Sequence, residues 1–151
     1  MSIKIIRAER SDLQEILDLQ YLAYQSEAAL FRSKDIPPLK QTLDNLIEEY
    51  DKGIVLKAVT EEEIIIGSVR AYEDAGTVYI GKLMVHPDYR RQGYGSKLLS
   101  EIENRYTGKR YELFTSTRSE DNIRLYEKAG YTIFDQKPIN EDLIFVFLEK
   151  R

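Results

Sequence analysis

Hydrophobic positions near the start of the chain change from a strand-like to a helical period. Ile3, Ile5 and Ile6 lie in a short apolar-rich strand from Ile3 to Arg7, after which Leu13, Ile16, Leu17, Tyr21 and Tyr24 fall on one stripe of a helix. Ser11 followed by Gln14 has the form of a capping box that opens this helix, and its expected end is near Ser26. From Glu27 to Leu39 the period fades. Pro37-Pro38 removes two backbone donors there and disfavours helix at the preceding residue, so the segment is expected to be mostly loop. Helical spacing returns at Leu43, Leu46, Ile47 and Tyr50, and Gly53 stands where a helix end commonly takes a left-handed residue.

Three strands follow, Ile54 to Thr60, Ile64 to Tyr72 and Thr77 to Val85. The short turns Glu61-Glu62-Glu63 and Asp74-Ala75-Gly76 make them an antiparallel meander. Leu98, Leu99, Ile102 and Tyr106 give the next helix its apolar face, and Gly108 follows its end. A strand from about Tyr111 to Thr117 then pairs parallel to the last meander strand, as such a crossover requires. Ser119 is placed to cap a short helix that stops at Gly130, and Tyr131 to Gln136 and Leu143 to Leu148 form two closing strands. This order predicts an α+β (mixed α/β) layer fold rather than a doubly wound parallel sheet.

A chain of 151 residues has the size of one domain, 1–151, and can bury about 70% of its unfolded surface. Its composition is that of a soluble globular protein, and no apolar run approaches the roughly 20 residues that span a bilayer. The start, Met1-Ser2-Ile3-Lys4-Ile5-Ile6-Arg7, lacks the apolar segment and cleavage site of a secretory signal, so a cytoplasmic setting with no membrane partner is expected. The chain has no cysteine and one histidine, His86, which leaves no thiolate or multi-histidine metal site and no cysteine nucleophile. His86 immediately precedes Pro87 and reads as a turn residue rather than the base of a hydrolase triad. The formal net charge of −4 lacks the basic excess of a nucleic-acid binder.

The chemistry is concentrated between Leu83 and Leu99. An apolar strand end, a polar turn and an amphipathic helix with a nearly bare first turn make an anion-binding arrangement, because free N–H groups at a helix start carry about half a positive charge. Gly93 and Gly95 allow close approach, while Arg90, Arg91 and Lys97 supply a local basic patch whose guanidinium forks can pair with phosphate oxygens. A diphosphate is the expected guest. Glycines at such a turn also serve close packing, and paired arginines also make a solvated surface. A dinucleotide fingerprint fails at Leu98, where a third glycine is required, and a P-loop fails at Gly95-Ser96-Lys97.

Arg90-x-x-Gly93-x-Gly95 after Val85-x-Pro87 resembles the acyl-CoA signature of the GNAT superfamily of N-acetyltransferases. The run Asn122-Ile123-Arg124-Leu125-Tyr126-Glu127-Lys128-Ala129-Gly130-Tyr131 resembles that superfamily's other recurring segment. The resemblance implies a GNAT-like fold, a central mixed, mostly antiparallel sheet of about seven strands flanked by about four helices. Its two central strands, ending here near Val85 and Thr117, would splay to admit the pantetheine arm. It also implies acetyl-CoA as co-substrate, no metal, and a small-molecule or peptide amine as acceptor, with a homodimer on family grounds.

By the same resemblance, backbone amides from Arg91 through Gln92, Gly93, Tyr94 and Gly95 to Ser96 would hold the pyrophosphate. Leu83, Met84 and Val85 would pair with pantetheine, and the Val85 N–H would polarise the thioester carbonyl. Asn122 would hydrogen-bond pantetheine. Tyr126 would be the general acid, its phenol remaining protonated at neutral pH and able to protonate the departing thiolate, with a core position beside Leu125 and Ala129 as the alternative. Relatives carry a glutamate base on the strand ending at Val85, where this chain has Gly81 and Lys82; Glu73 is the substitute candidate, with Glu27 in reserve. Tyr21, Tyr24 and Phe31 fall where the family builds its acceptor wall, and Tyr21 and Tyr24 also fit the core stripe. Two rival readings stay open, a non-catalytic acyl-CoA-binding module and a nucleotide enzyme using the glycine loop.

Overall fold

The computed structural model describes residues 2–25, 28–29, 36–141 and 143–151. Its seven strands form one sheet in the order β1-β2-β3-β4-β5-β7-β6. The strands are β1 Lys4–Arg7, β2 Ile54–Val59, β3 Ile65–Asp74, β4 Thr77–Val85, β5 Arg110–Ser116, β6 Thr132–Asn140 and β7 Leu143–Lys150. Neighbouring strands pair antiparallel except β4 and β5. Helices α1 Leu13–Ala23, α2 Pro37–Lys40 and α3 Leu43–Lys52 precede the meander, and α4 Tyr94–Asn104 and α5 Glu120–Lys128 follow it.

The sheet is covered on both faces, which explains why β3 reads Ile65-Ile66-Gly67-Ser68-Val69-Arg70-Ala71 without polar alternation. On one face Leu13, Ile16, Leu17 and Leu46 pack with Val55, Val59 and Ile65 of the sheet. On the other, Leu98, Leu99 and Ile102 of α4 pack with Leu56, Ile66, Val78, Leu113 and Leu148. The β3–β4 hairpin closes through Ala75 and Gly76, both at positive φ, between the paired Asp74 and Thr77. Such a two-residue loop matches the twist of the strands it joins.

Several local expectations are corrected. The reciprocal box lies at Glu9 and Asp12, where the Glu9 N–H donates to Asp12 Oδ2 at 2.8 Å, rather than at Ser11 and Gln14. α1 ends at Ala23, before Ser26. Pro37-Pro38 opens the short α2, because proline lacks only an N–H that the first helical turn leaves unpaired anyway. Gly53 has φ −152°, so it is not left-handed. A Cβ there would lie 2.0 Å from the Ala71 carbonyl oxygen, and close approach of β3 is what requires glycine. Ser119 occupies the N-cap of α5 without a side-chain capping bond.

β4 and β5 pair only at Thr77–Arg110, Val78–Tyr111 and Tyr79–Glu112, and beyond those rungs they separate. That is the implied splay. In the same stretch Lys82 and Leu83 of β4 face the single Val69 of β3, a β-bulge with Lys82 at φ 52°. The extra residue reverses the alternation of β4. Val78 and Ile80 point into the α4 side of the core, whereas Met84, also an even position, packs with α1 and α3.

Candidate active site

Two cavities open along the splayed strands. The larger, about 690 Å³, runs from Leu83, Met84 and Val85 across the turn to Arg90, Arg91 and Gly93–Ser96, and is closed by Tyr24 and the start of α5. Gly93 caps α4 at φ 84°, and the first intrahelical bond visible there is Lys97 N–H to Gly93 O at 3.2 Å. A helix leaves its first N–H groups without intrahelical acceptors, so those of the α4 start are available to an anion. A Cβ at Gly93 would meet nothing within 4 Å, and one at Gly95 only the Leu125 side chain at 3.7 Å. The floor is open where a diphosphate would need it to be.

The turn that presents this floor is held by its own side chains. His86 Nδ1 accepts from the Asp88 N–H at 3.0 Å, and its ring meets Tyr89 edge-on, so the histidine acts as the turn residue expected. Arg90 does not present a free fork: Nε donates to Val85 O at 3.3 Å and Nη2 to Ala23 O at 2.9 Å, which ties the turn to β4 and to the end of α1. Arg91, at φ 63°, is exposed and lines the cavity. Gln92 is exposed and is not part of the lining, and Lys97 lies over the Tyr94 ring instead.

Asn122 and Leu125 line the cavity from α5. Tyr126, one turn after Asn122, is 7% exposed and lines neither cavity; its ring packs against Tyr131 at 6.2 Å in the core. Tyr24 lines the cavity, while the Tyr21 hydroxyl donates to Gln41 O. Glu27 and Phe31 lie outside the described residues.

Glu73 is not brought to either cavity. It stands opposite Val78 at the closed end of β4 and meets Lys109 Nζ at 3.1 Å. The reason is direction: β3 runs antiparallel to β4, so its last residues reach the end where β4 and β5 are still paired. Among the described residues no group of three or more His, Asp or Glu side chains is placed to hold a metal.

The smaller cavity, about 240 Å³, continues along β4 from Tyr79 to Lys82 and was not legible as a site in the sequence. It is lined by Arg70 and Tyr72 of β3, Glu112 to Phe114 of β5 and Glu49 of α3. Arg70 is 5% exposed, with Nη2 donating to Gln20 Oε1 at 3.0 Å and Gln41 Oε1 at 2.5 Å. Its Nε lies 2.7 Å from Glu49 Oε2, and among the described residues Nη1 has no hydrogen-bond partner. Burial pushes both the Arg70 guanidinium and the Lys82 ammonium below their usual range; for Lys82 the Arg70 charge adds to this and Glu49 opposes it. The available signal was one arginine inside the run 65–71, which has no other charged residue. Arg118, which lines the larger cavity, was also missed.

Comparison with known proteins places this geometry. Residues 12–131 match the model of the Acetyltransferase (GNAT) family. The PaiA N-acetyltransferase of Thermoplasma acidophilum, in complex with coenzyme A, superposes with a TM-score of 0.85 at 20% identity, covering 100% of this chain and 99% of that one. YncA of Salmonella typhimurium, with its cofactor acetyl-CoA, gives a TM-score of 0.78 at 20% identity over 100% of this chain and 94% of that one. The UPF0157 protein YqkA of Bacillus subtilis is 25% identical over 124 residues, which is 82% of this chain; the chain spans 35% of that relative's length.

Proposed function

This chain belongs to the GNAT family of acetyltransferases, and on that premise we propose that it transfers the acetyl group of acetyl-CoA directly to a primary amine. The observation that carries the reading is the glycine floor at the start of α4, open beneath a cavity that runs to the splayed end of β4. Main-chain donors from Arg91 to Ser96 would hold the diphosphate, with Leu83 to Val85 along the pantetheine arm and Asn122 beside it. Acetyl-CoA supplies the activated acetyl group as a thioester.

The residues of the chain do the rest. The acceptor nitrogen forms the new C–N bond as the C–S bond breaks, and the nitrogen's surplus proton leaves to solvent. The Val85 N–H polarises the carbonyl, a contribution of roughly 3 kcal/mol for a preorganised donor. Tyr126 gives its phenolic proton to the sulfur and regains one from solvent before the next turnover. No cysteine is present to carry the acetyl group, which supports direct transfer. We assign the reaction to the cytoplasm.

The test is release of free CoA from acetyl-CoA across a panel of amines, with calorimetric titration of CoA in parallel. Saturable CoA binding with amine-dependent turnover is expected. Binding without turnover would instead identify an acyl-CoA-binding module, and absence of binding would refute the site.

A further inference from the structure

We propose that the acceptor carries a carboxylate, which is held in the smaller cavity by Arg70 and Lys82, so that the substrate class is a free amino acid or small amino-acid derivative. The inference rests on the transferase reading and deepens it. The two cavities share β4 as a wall, the smaller ending at Lys82 where the larger begins at Leu83. A molecule seated in the smaller cavity therefore lies next to the stretch assigned to the pantetheine arm.

Three observations identify the charge it wants. First, Arg70 is a buried cation that Gln20, Gln41 and Glu49 fix against the cavity wall, and among the described residues its Nη1 has no hydrogen-bond partner. Second, the bulge turns Lys82 to the same side as Arg70. On an unbroken strand Lys82 would follow Val78 and Ile80 toward α4. Third, the lining acids are already engaged, Glu49 with Arg70 and Glu112 with Arg110 Nη1 at 2.8 Å, whereas Lys82 has no ion-pair partner among the described residues. Arg70 and Lys82 thus line one space of about 240 Å³ together.

That space suits an amino acid. Stacked Tyr72 and Tyr79, with centroids 5.3 Å apart, and the exposed Phe114 line the cavity and offer apolar surface to its side chain. A polyamine offers no carboxylate to Arg70 and Lys82.

The experiment compares the common L-amino acids, each with its amide and its decarboxylated amine, and includes spermidine and an aminophosphonate. It is read both as acetyl-CoA turnover and as equilibrium binding of the N-acetylated products to the CoA-saturated protein. At least a tenfold preference for a carboxylate over its amide is expected in both readouts. In Lys82→Met that preference should fall to within about twofold, while the KM for acetyl-CoA and the rate with decarboxylated amines stay near wild type. Arg70→Met should act in the same direction where it folds, and the Lys82 variant decides where it does not. Equal handling of carboxylate and amide, a preference unchanged in Lys82→Met, selective use of spermidine, or tighter handling of the phosphonate would overturn the proposal. Carboxylate-selective binding without any turnover would support this pocket while refuting the transferase reading. Turnover of amines without carboxylate selectivity would do the reverse.

Discussion

Arg90 donates through Nη2 to the carbonyl of Ala23 at 2.9 Å, joining the turn before α4 to the last residue of α1. With the Nε bond to Val85 O, the guanidinium spans two elements that border the larger cavity. Its first role is therefore to position the turn, and the fork matters more than the charge. Arg90→Lys keeps the charge but cannot reach both carbonyls. It should weaken CoA binding about tenfold, or about 1.4 kcal/mol, and match Arg90→Ala in both affinity and melting temperature. Restoration of wild-type affinity by lysine, measured by calorimetry, would show direct pairing with phosphate instead.

Gly93 and Gly95 are glycines for different reasons, and alanine should separate them. Gly93 has a positive φ of 84°, so Gly93→Ala should cost about 1 to 2 kcal/mol of stability although its Cβ would stand in open space. At Gly95 a Cβ would make only ordinary contact with Leu125, so Gly95→Ala should leave the melting temperature unchanged or slightly raised. It should nonetheless weaken CoA binding by tenfold or more, and Gly95→Glu should abolish it. A Gly95 variant that binds CoA normally would move the diphosphate elsewhere.

Tyr126 and Tyr131 touch in the core, which provides an internal control for the proposed general acid. Tyr126→Phe should lower kcat by about tenfold to a hundredfold with CoA affinity nearly unchanged. Tyr131 is tied elsewhere, its hydroxyl donating to Glu103 Oε2 at 2.7 Å while Lys150 Nζ reaches Oε1 at 2.9 Å. Tyr131→Phe should cost about 1 to 3 kcal/mol of stability and leave kcat alone. Equal kinetic losses in both variants, in single-turnover assays, would assign Tyr126 to packing.

The strands, the meander and the glycine-floored helix were legible because each depends on local period and turn chemistry. Gly93 and Gly95 stood out through their place at a strand-to-helix turn together with the resemblance to a family signature, not through their spacing alone. The second cavity did not, because it depends on one inserted residue in β4 that turns Lys82 toward Arg70, and the change of phase falls just before Leu83-Met84-Val85, a run that is apolar on both faces. Glu73 misled for a related reason. Nearness in sequence to β4 placed it at the closed end of the splay, which only strand direction and register reveal. Arg90 was recognised as part of the turn, but its carbonyl partners at Ala23 and Val85 come from two elements that local pattern could not bring together.

Asp12 gives the fold a pH dependence whose sign is set by its partners. Burial alone would raise the carboxyl, but the Lys57 ammonium at 2.7 Å and the Glu9 N–H at 2.8 Å prevail and hold it below the ordinary aspartate range. A carboxyl depressed on folding contributes stability that is fully present above its unfolded pKa of about 3.9 and is lost as pH falls through its lower folded value. Asp12→Asn keeps an acceptor for the Glu9 N–H while removing the charge that faces Lys57. It should therefore cost about 1 to 2 kcal/mol at pH 7. Denaturant unfolding of both proteins should show this gap constant from pH 7 to about 5 and closing below about 4, because only the wild type then loses a charge. A gap that persists unchanged to pH 3 would mean that the Lys57 pair contributes nothing and that the variant acts through packing.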